Sequence, residues 1–153
     1  MNQPDPELLT KSFELGYTYT RSTGPVIGRF LTALRAGRIE GVRMADGRVI
    51  VPAVEYDPRD GAALSEFVAV PDTGSVTTWC WVRQPLEHHL LQHPFAFALI
   101  CLDGTDVPML HLVDAGEEAR MRTGMRVRAR WAVERRGSIT DIACFEPAEE
   151  ERA

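Results

Sequence analysis

From about residue 67 to residue 147, apolar and β-branched residues recur in short runs, each closed by a glycine or proline turn. That punctuation admits few folds. A helix needs apolar residues three and four apart, whereas a period of two puts side chains on opposite faces of a strand. Residues 75–82 are rich in β-branched and aromatic side chains, and residues 95–102 form a nearly continuous apolar run closed by Asp103-Gly104. Residues 109–113 supply the hairpin partner of that run, and residues 124–133 alternate cleanly. Gly137 then turns the chain into residues 139–145, and Pro147 ends the last run. A further short run, residues 67–70, leads through a turn at residues 71–74 into the first strand. Five strands with a short helical or loop piece at residues 115–122 before the fourth predict a small closed β-barrel. Closure removes the unpaired edges that such apolar strands would otherwise expose.

Upstream the pattern differs. Residues 1–12, with Pro4 and Pro6, read as loosely ordered. Residues 16–21 carry Tyr17 and Tyr19 among polar residues, an extended arm suited to lie on a partner or on the chain's own core. In residues 25–38, Val26, Ile27, Phe30, Leu31 and Leu34 recur at helical spacing, Pro25 suits a first turn and Gly37 a stop. Residues 39–63 then hold a glycine turn at Asp46-Gly47, an apolar strand and a second turn opened by Asp57-Pro58. The expected organisation is an arm and helix over 1–38, a hairpin segment over 39–63, a five-stranded barrel of the oligonucleotide/oligosaccharide-binding (OB) type over 64–147, and an acidic tail over 148–153. The chain is mainly β.

Composition narrows the function classes. A net charge of −5 argues against a dedicated nucleic-acid binder, which would carry a basic footprint. Sixteen of the seventeen basic residues are arginine, a side chain suited to partner contacts and phosphate recognition. The three cysteines, Cys80, Cys101 and Cys144, are far apart, odd in number and set in apolar runs, and are expected to be buried reduced thiols. The chain shows no leader pattern and no apolar run long enough to span a bilayer, so a cytoplasmic protein without membrane partners is expected. No nucleophile-elbow or glycine-rich phosphate-loop motif occurs.

The order of these segments resembles a family of two-part proteins, a rubredoxin-like zinc ribbon followed by an OB fold. Arg29-Phe30 and residues 34–37 match its helix. Residues 41–43 with Gly47 match its first knuckle, and Pro52 with Asp57-Pro58 its second. Gly74-Ser75-Val76, His93-Pro94-Phe95, Leu102-Asp103-Gly104, residues 124–127 and Phe145-Glu146-Pro147 match successive points along the barrel. A ribbon holds zinc with four soft donors, two per knuckle. Here the thiols are missing: Met44, Ala45 and Asp46 fill the first knuckle, and Asp57 and Asp60 stand in the second. The family's zinc therefore does not carry over, and no metal or other cofactor is expected on this chain. Members of the family pair with thiolase-like, lipid-transfer-protein-like enzymes acting on coenzyme A thioesters. The resemblance implies an accessory subunit of a thiolase-like aldolase that cleaves β-hydroxyacyl-CoA thioesters in steroid side-chain degradation. In such pairs the catalytic groups lie on the larger subunit, and the OB partner stabilises it and shapes the substrate entrance. A thiolase-like acyltransferase is the alternative complex, and a free-standing OB module binding single-stranded nucleic acid is the rival from another class.

No catalytic residue is assigned. Retro-aldol chemistry needs a base and an oxyanion stabiliser, and the four histidines are the only side chains titrating near neutrality. His88, His89 and His93 fall in one segment between strands. Together with Phe95, Tyr17 and Tyr19 they are the candidates for a partner or substrate-entrance surface. In a helix His89 and His93 would share a face, a possible metal spacing without an evident third ligand. Trp79 and Trp81 share one strand face with Cys80 on the other, and the sequence leaves open which face is inside. Arg126, Arg128 and Arg130 share a face of the fourth strand, with Arg120 and Arg122 just before it. They read either as a solvated face or as a coenzyme A phosphate or partner ion-pair site.

Overall fold

The computed structural model describes residues 11–148. The expectations for Pro4, Pro6 and the acidic run Glu149–Glu151 lie outside the described residues. Helix α1 is Gly24–Arg35, with Pro25 in its first turn where a missing N–H costs nothing. It stops earlier than the sequence spacing predicts. Gly37 takes a positive φ of 72°, so the Gly37 and Arg38 amides turn back to the Leu34 and Ala33 carbonyls (2.8 and 3.0 Å). That αL closure satisfies the last carbonyls and prevents another turn. Val26, Phe30, Ala33 and Leu34 are buried, while Ile27 remains exposed.

Strands β1 (Ile39–Arg43), β2 (Val49–Ile50) and β3 (Phe67–Val70) form an antiparallel sheet in the order β2-β1-β3. Gly41 faces Val68 in this sheet. A Cβ at Gly41 would stand 2.8 Å from the Ile50 carbonyl oxygen, so only glycine lets these strands approach. The Asp46-Gly47 turn forms as expected, with Gly47 at φ 89°. β3 lies within the 64–147 span read as barrel, yet it pairs with β1.

The barrel itself begins at Thr73. Strands β4 (Thr73–Val82), β5 (Phe95–Leu102), β6 (Met109–Val113), β7 (Arg126–Trp131) and β8 (Ile142–Pro147) close in the order β4-β5-β6-β8-β7, with β7 returning to β4. The β6–β8 junction is parallel and the other pairs are antiparallel. This is the expected five-stranded OB barrel. The segment at 115–122 holds one short 3₁₀ turn, Glu118–Arg120. A second 3₁₀ turn, Ile139–Asp141, occupies the start of the run read as the last strand. There Asp141 accepts from the Arg136, Gly137 and Ser138 amides, leaving only Ile142 onward free to pair.

The face of the tryptophans is settled by a bulge. Val76 pairs with Ile100 and Thr78 with Leu99, so Thr77 is the extra residue. The shift sets Trp79 and Trp81 against the core and leaves Cys80 exposed. The reading of three buried thiols is corrected accordingly: Cys144 alone is fully buried, and Cys101 is half-buried. One continuous apolar core runs from Val26, Phe30 and Leu34 of α1 through Val42 and Val49 to Val76, Ile100, Val127 and Phe145 of the barrel.

Candidate functional site

Residues 83–94 cross between β4 and β5, and they are neither helical nor free. The His89 amide donates to the Leu86 carbonyl (2.9 Å), and the Leu86 amide donates to His89 Nδ1 (3.1 Å). Gln92 donates to the His89 carbonyl (2.5 Å). These reciprocal bonds close a turn, so the shared helical face of His89 and His93 does not form. The His89 ring stands edge-on to Phe95 and Phe97 (centroids 5.3 and 5.8 Å), a geometry aromatic quadrupoles favour. Phe95 is wholly buried, so it supports the loop from beneath and offers no contact surface. His93 faces Asp114, Nε2 to Oδ1 at 3.2 Å, and Asp114 also receives Arg130. His88 is exposed, its ring 4.8 Å from that of His89.

Folded this way, the loop walls a shallow apolar groove of about 260 Å³ together with Phe97, Leu110 and Ile139. Leu90 and Leu110 keep 54% and 62% of their surface in water although large and aliphatic. Sequence reasoning missed Leu90, Leu110 and Ile139. The signal available was Leu110 between buried Met109 and His111, a strand position that alternation sends outward. His111 lines the groove but is buried and held neutral. Desolvation lowers its pKa, while its Nδ1 accepts from the Leu112 amide (2.9 Å). Burial likewise pushes the Cys144 thiol up to about 11, so it stays protonated.

Tyr17 and Tyr19 lie elsewhere, in the segment 11–23, which has no regular structure. Both are 78% exposed, and Phe13 and Leu15 stand out in the same way. The arm does not pack its aromatic side chains on the chain's own core here.

The three β7 arginines are paired within the chain. Arg126 grips Asp103, Arg128 reaches Glu146 (3.5 Å), and Arg130 meets Asp114 (2.9 Å) and Glu146 (3.6 Å). Each therefore already holds a carboxylate of its own chain while keeping 40–58% of its side chain exposed.

A zinc ion does not fit the turns of residues 39–63. That segment holds no cysteine or histidine, and the carboxylates of its two turns, Asp46, Asp57 and Asp60, already accept from donors of this chain. Arg59 bridges the two turns, Nη1 to Asp46 Oδ2 at 2.7 Å and Nη2 to Asp57 Oδ2 at 3.1 Å. Asp57 also accepts from the Arg59 amide (2.9 Å), and Arg48 adds a second guanidinium to Asp46 (2.7 Å). These donors hold the Asp46 and Asp57 carboxyls below the usual carboxylate range. Among the described residues, no group of His, Cys, Asp and Glu is arranged to hold a metal, and no helix is long and apolar enough to cross a membrane.

The barrel matches known proteins. The family of ChsH2 C-terminal OB-fold domains covers residues 67–132. A chain of an Ltp2–ChsH2(DUF35) aldolase shares the fold with a TM-score of 0.60 at 16% identity, over 84% of this chain and 98% of that one. A DUF35-family protein of unknown function from Sulfolobus solfataricus does so with a TM-score of 0.52 at 19% identity, over 66% and 74%. No curated protein matches. The sequence match is thus with the ChsH2-type OB domain, and the structural likeness to the aldolase chain reaches beyond it, to 84% of this chain.

Proposed function

We propose that this chain is the OB-fold partner subunit of a thiolase-like enzyme acting on acyl-CoA thioesters in the cytoplasm. The reaction we assign to the complex is retro-aldol cleavage of a β-hydroxyacyl-CoA bearing a steroid side chain. The observation that carries the reading is the ChsH2-type match over residues 67–132. It is supported by the exposed apolar groove beside the folded histidine loop. We read residues 39–63 as a zinc-ribbon skeleton in which Arg59 joins the two turns that a metal would otherwise join.

The division of labour follows from the chemistry. Cleavage needs a base at the β-hydroxyl and donors at the developing enolate oxygen. On this chain His111 is sealed and neutral, and His89 is committed to its own loop. We assign the base and the oxyanion donors to the catalytic subunit. The groove around Leu90 and Leu110 is the docking face that places this barrel at the substrate entrance.

The test is affinity capture from extract of the host cell, followed by identification of the captured protein. We expect a thiolase-fold subunit, with aldolase activity found in the pair and absent from the isolated chain. Leu110→Asp and Leu90→Asp place charges on exposed positions and should weaken capture by at least about tenfold, the scale of a buried hot spot. Their circular dichroism should remain that of the wild type. Recovery of no thiolase-fold protein removes the partner assignment. Undiminished capture by both variants removes the groove as the docking face.

A further inference from the structure

A second concavity, of about 1020 Å³, opens between β7, β8 and the loop that follows β6. Arg120, Arg122, Arg126 and Arg130 line it against two carboxylates, Asp114 and Glu146. In a chain of net charge −5 this is a local reversal of sign.

The four arginines differ in what they already hold. Arg126 is fixed by Asp103, and Arg130 by Asp114 and Glu146. These two build a rigid, neutralised wall. Arg120 and Arg122 are exposed and have no ion-pair partner among the described residues. Among the described residues their guanidinium forks hold no carboxylate, and they line the concavity.

We propose that this concavity is a binding site for a small organic compound carrying two or more phosphate groups. Guanidinium forks match phosphate oxygens bidentately, and a phosphate offers enough acceptors to take a fork from each side. The size favours more than inorganic phosphate. Pockets for organic ligands span roughly 300–1,000 Å³, and a lone phosphate would leave most of this volume to water. The lining has no aromatic side chain, whereas surfaces that hold single-stranded nucleic acid stack successive bases on aromatic rings. Of these, a compact organic polyphosphate suits both the volume and the arginine lining. The assignment stands apart from partner docking, because it is read on the isolated chain and at a different face.

The test is isothermal titration calorimetry of the full chain with inorganic pyrophosphate and with ADP. Saturable one-site binding is expected for both, weakening as sodium chloride rises, as exposed charge pairing does. Arg120→Ala with Arg122→Ala should weaken binding by at least about tenfold, since a charge-assisted hydrogen bond contributes on that scale. Arg21→Ala, an exposed control outside the concavity, should leave binding unchanged. Lack of saturable binding of either probe at millimolar concentration overturns the proposal. So does equal binding by the double variant and the wild type when both show the same circular dichroism. An oligothymidylate that binds more tightly than ADP and loses its affinity in the double variant assigns the arginines to a nucleic-acid strand instead.

Discussion

Asp103 stands at the turn that closes β5. Arg126 reaches it with both terminal nitrogens (2.7 and 2.5 Å), and the Thr73 hydroxyl donates to it as well (2.5 Å). Led by the Arg126 hydrogen bonds, these contacts hold its carboxyl down to about 2. The folded pKa is depressed, so the contribution is fully present above the unfolded value of 3.8 and fades as pH falls towards 2. A shift of that size corresponds to roughly 2.5 kcal/mol at most. The two side chains keep 40% and 38% of their surface in water, and screening reduces the figure to about 1 kcal/mol. Asp103→Asn should therefore lose about that much stability at pH 6 and nothing further near pH 2, measured by urea unfolding across the range. A gap that stays constant from pH 6 to pH 2 would show that charge is not the cause. In the sequence, Asp103-Gly104 reads as a turn and nothing more. Its partner lies 23 residues on, and only closure of β7 onto β4 brings the two together.

At the scale of the element, the turns at Asp46-Gly47 and Asp57–Gly61 present the same contrast. Gly47 and Gly61 at φ 89° and 75° mark both turns, and the sequence shows them because only glycine takes that backbone without strain. What joins the turns was not legible. Aspartate is common in turns for its own backbone bonds, as Asp57 and Asp60 show by accepting from the Arg59 and Ala62 amides. The extra role of Arg59, reaching back to Asp46, depends on how two segments 13 residues apart fold together. Arg59→Ala should speed amide exchange at Gly47 and Gly61 while exchange in β5 and β8 stays slow. A chelator should leave the wild-type exchange pattern and melting temperature unchanged, because the cross-link is an ion pair. A fall in melting temperature on chelation would mean that these turns hold a metal after all. The histidine loop was opaque for a related reason. Its spacing suits a helix, but His89 spends its ring on the Leu86 amide and on Phe95 and Phe97, contacts that exist only once β5 is in place.

The whole molecule raises the question of whether the helix, small sheet and barrel fold separately. Read segment by segment, the sequence presents them as separable, since strand alternation, helical spacing and glycine turns are local signals. Packing is not local. Leu34 and Val42, both fully buried, share one apolar core with Val76, Ile100 and Phe145 of the barrel. Backbone ties reinforce it: Asp106 in the β5–β6 loop accepts from the Val49 amide (3.1 Å) and donates its own amide to the Val49 carbonyl (3.2 Å). Arg135, beyond β7, donates to the Arg35 carbonyl at the end of α1 (3.2 Å). Exposing that shared core to free one part would strip the other of its cover, so the parts should unfold together. Calorimetry should show one transition whose van't Hoff and calorimetric enthalpies agree, on the order of 100 kcal/mol near 60 °C for a chain of this length. A truncation starting at Asp72, which removes α1 and the small sheet, should leave the barrel without a cooperative transition. Two resolved transitions in the full chain, or a sharp melt in the truncated one, would show that the barrel stands alone and that its contacts with α1 and β1 are incidental to its stability.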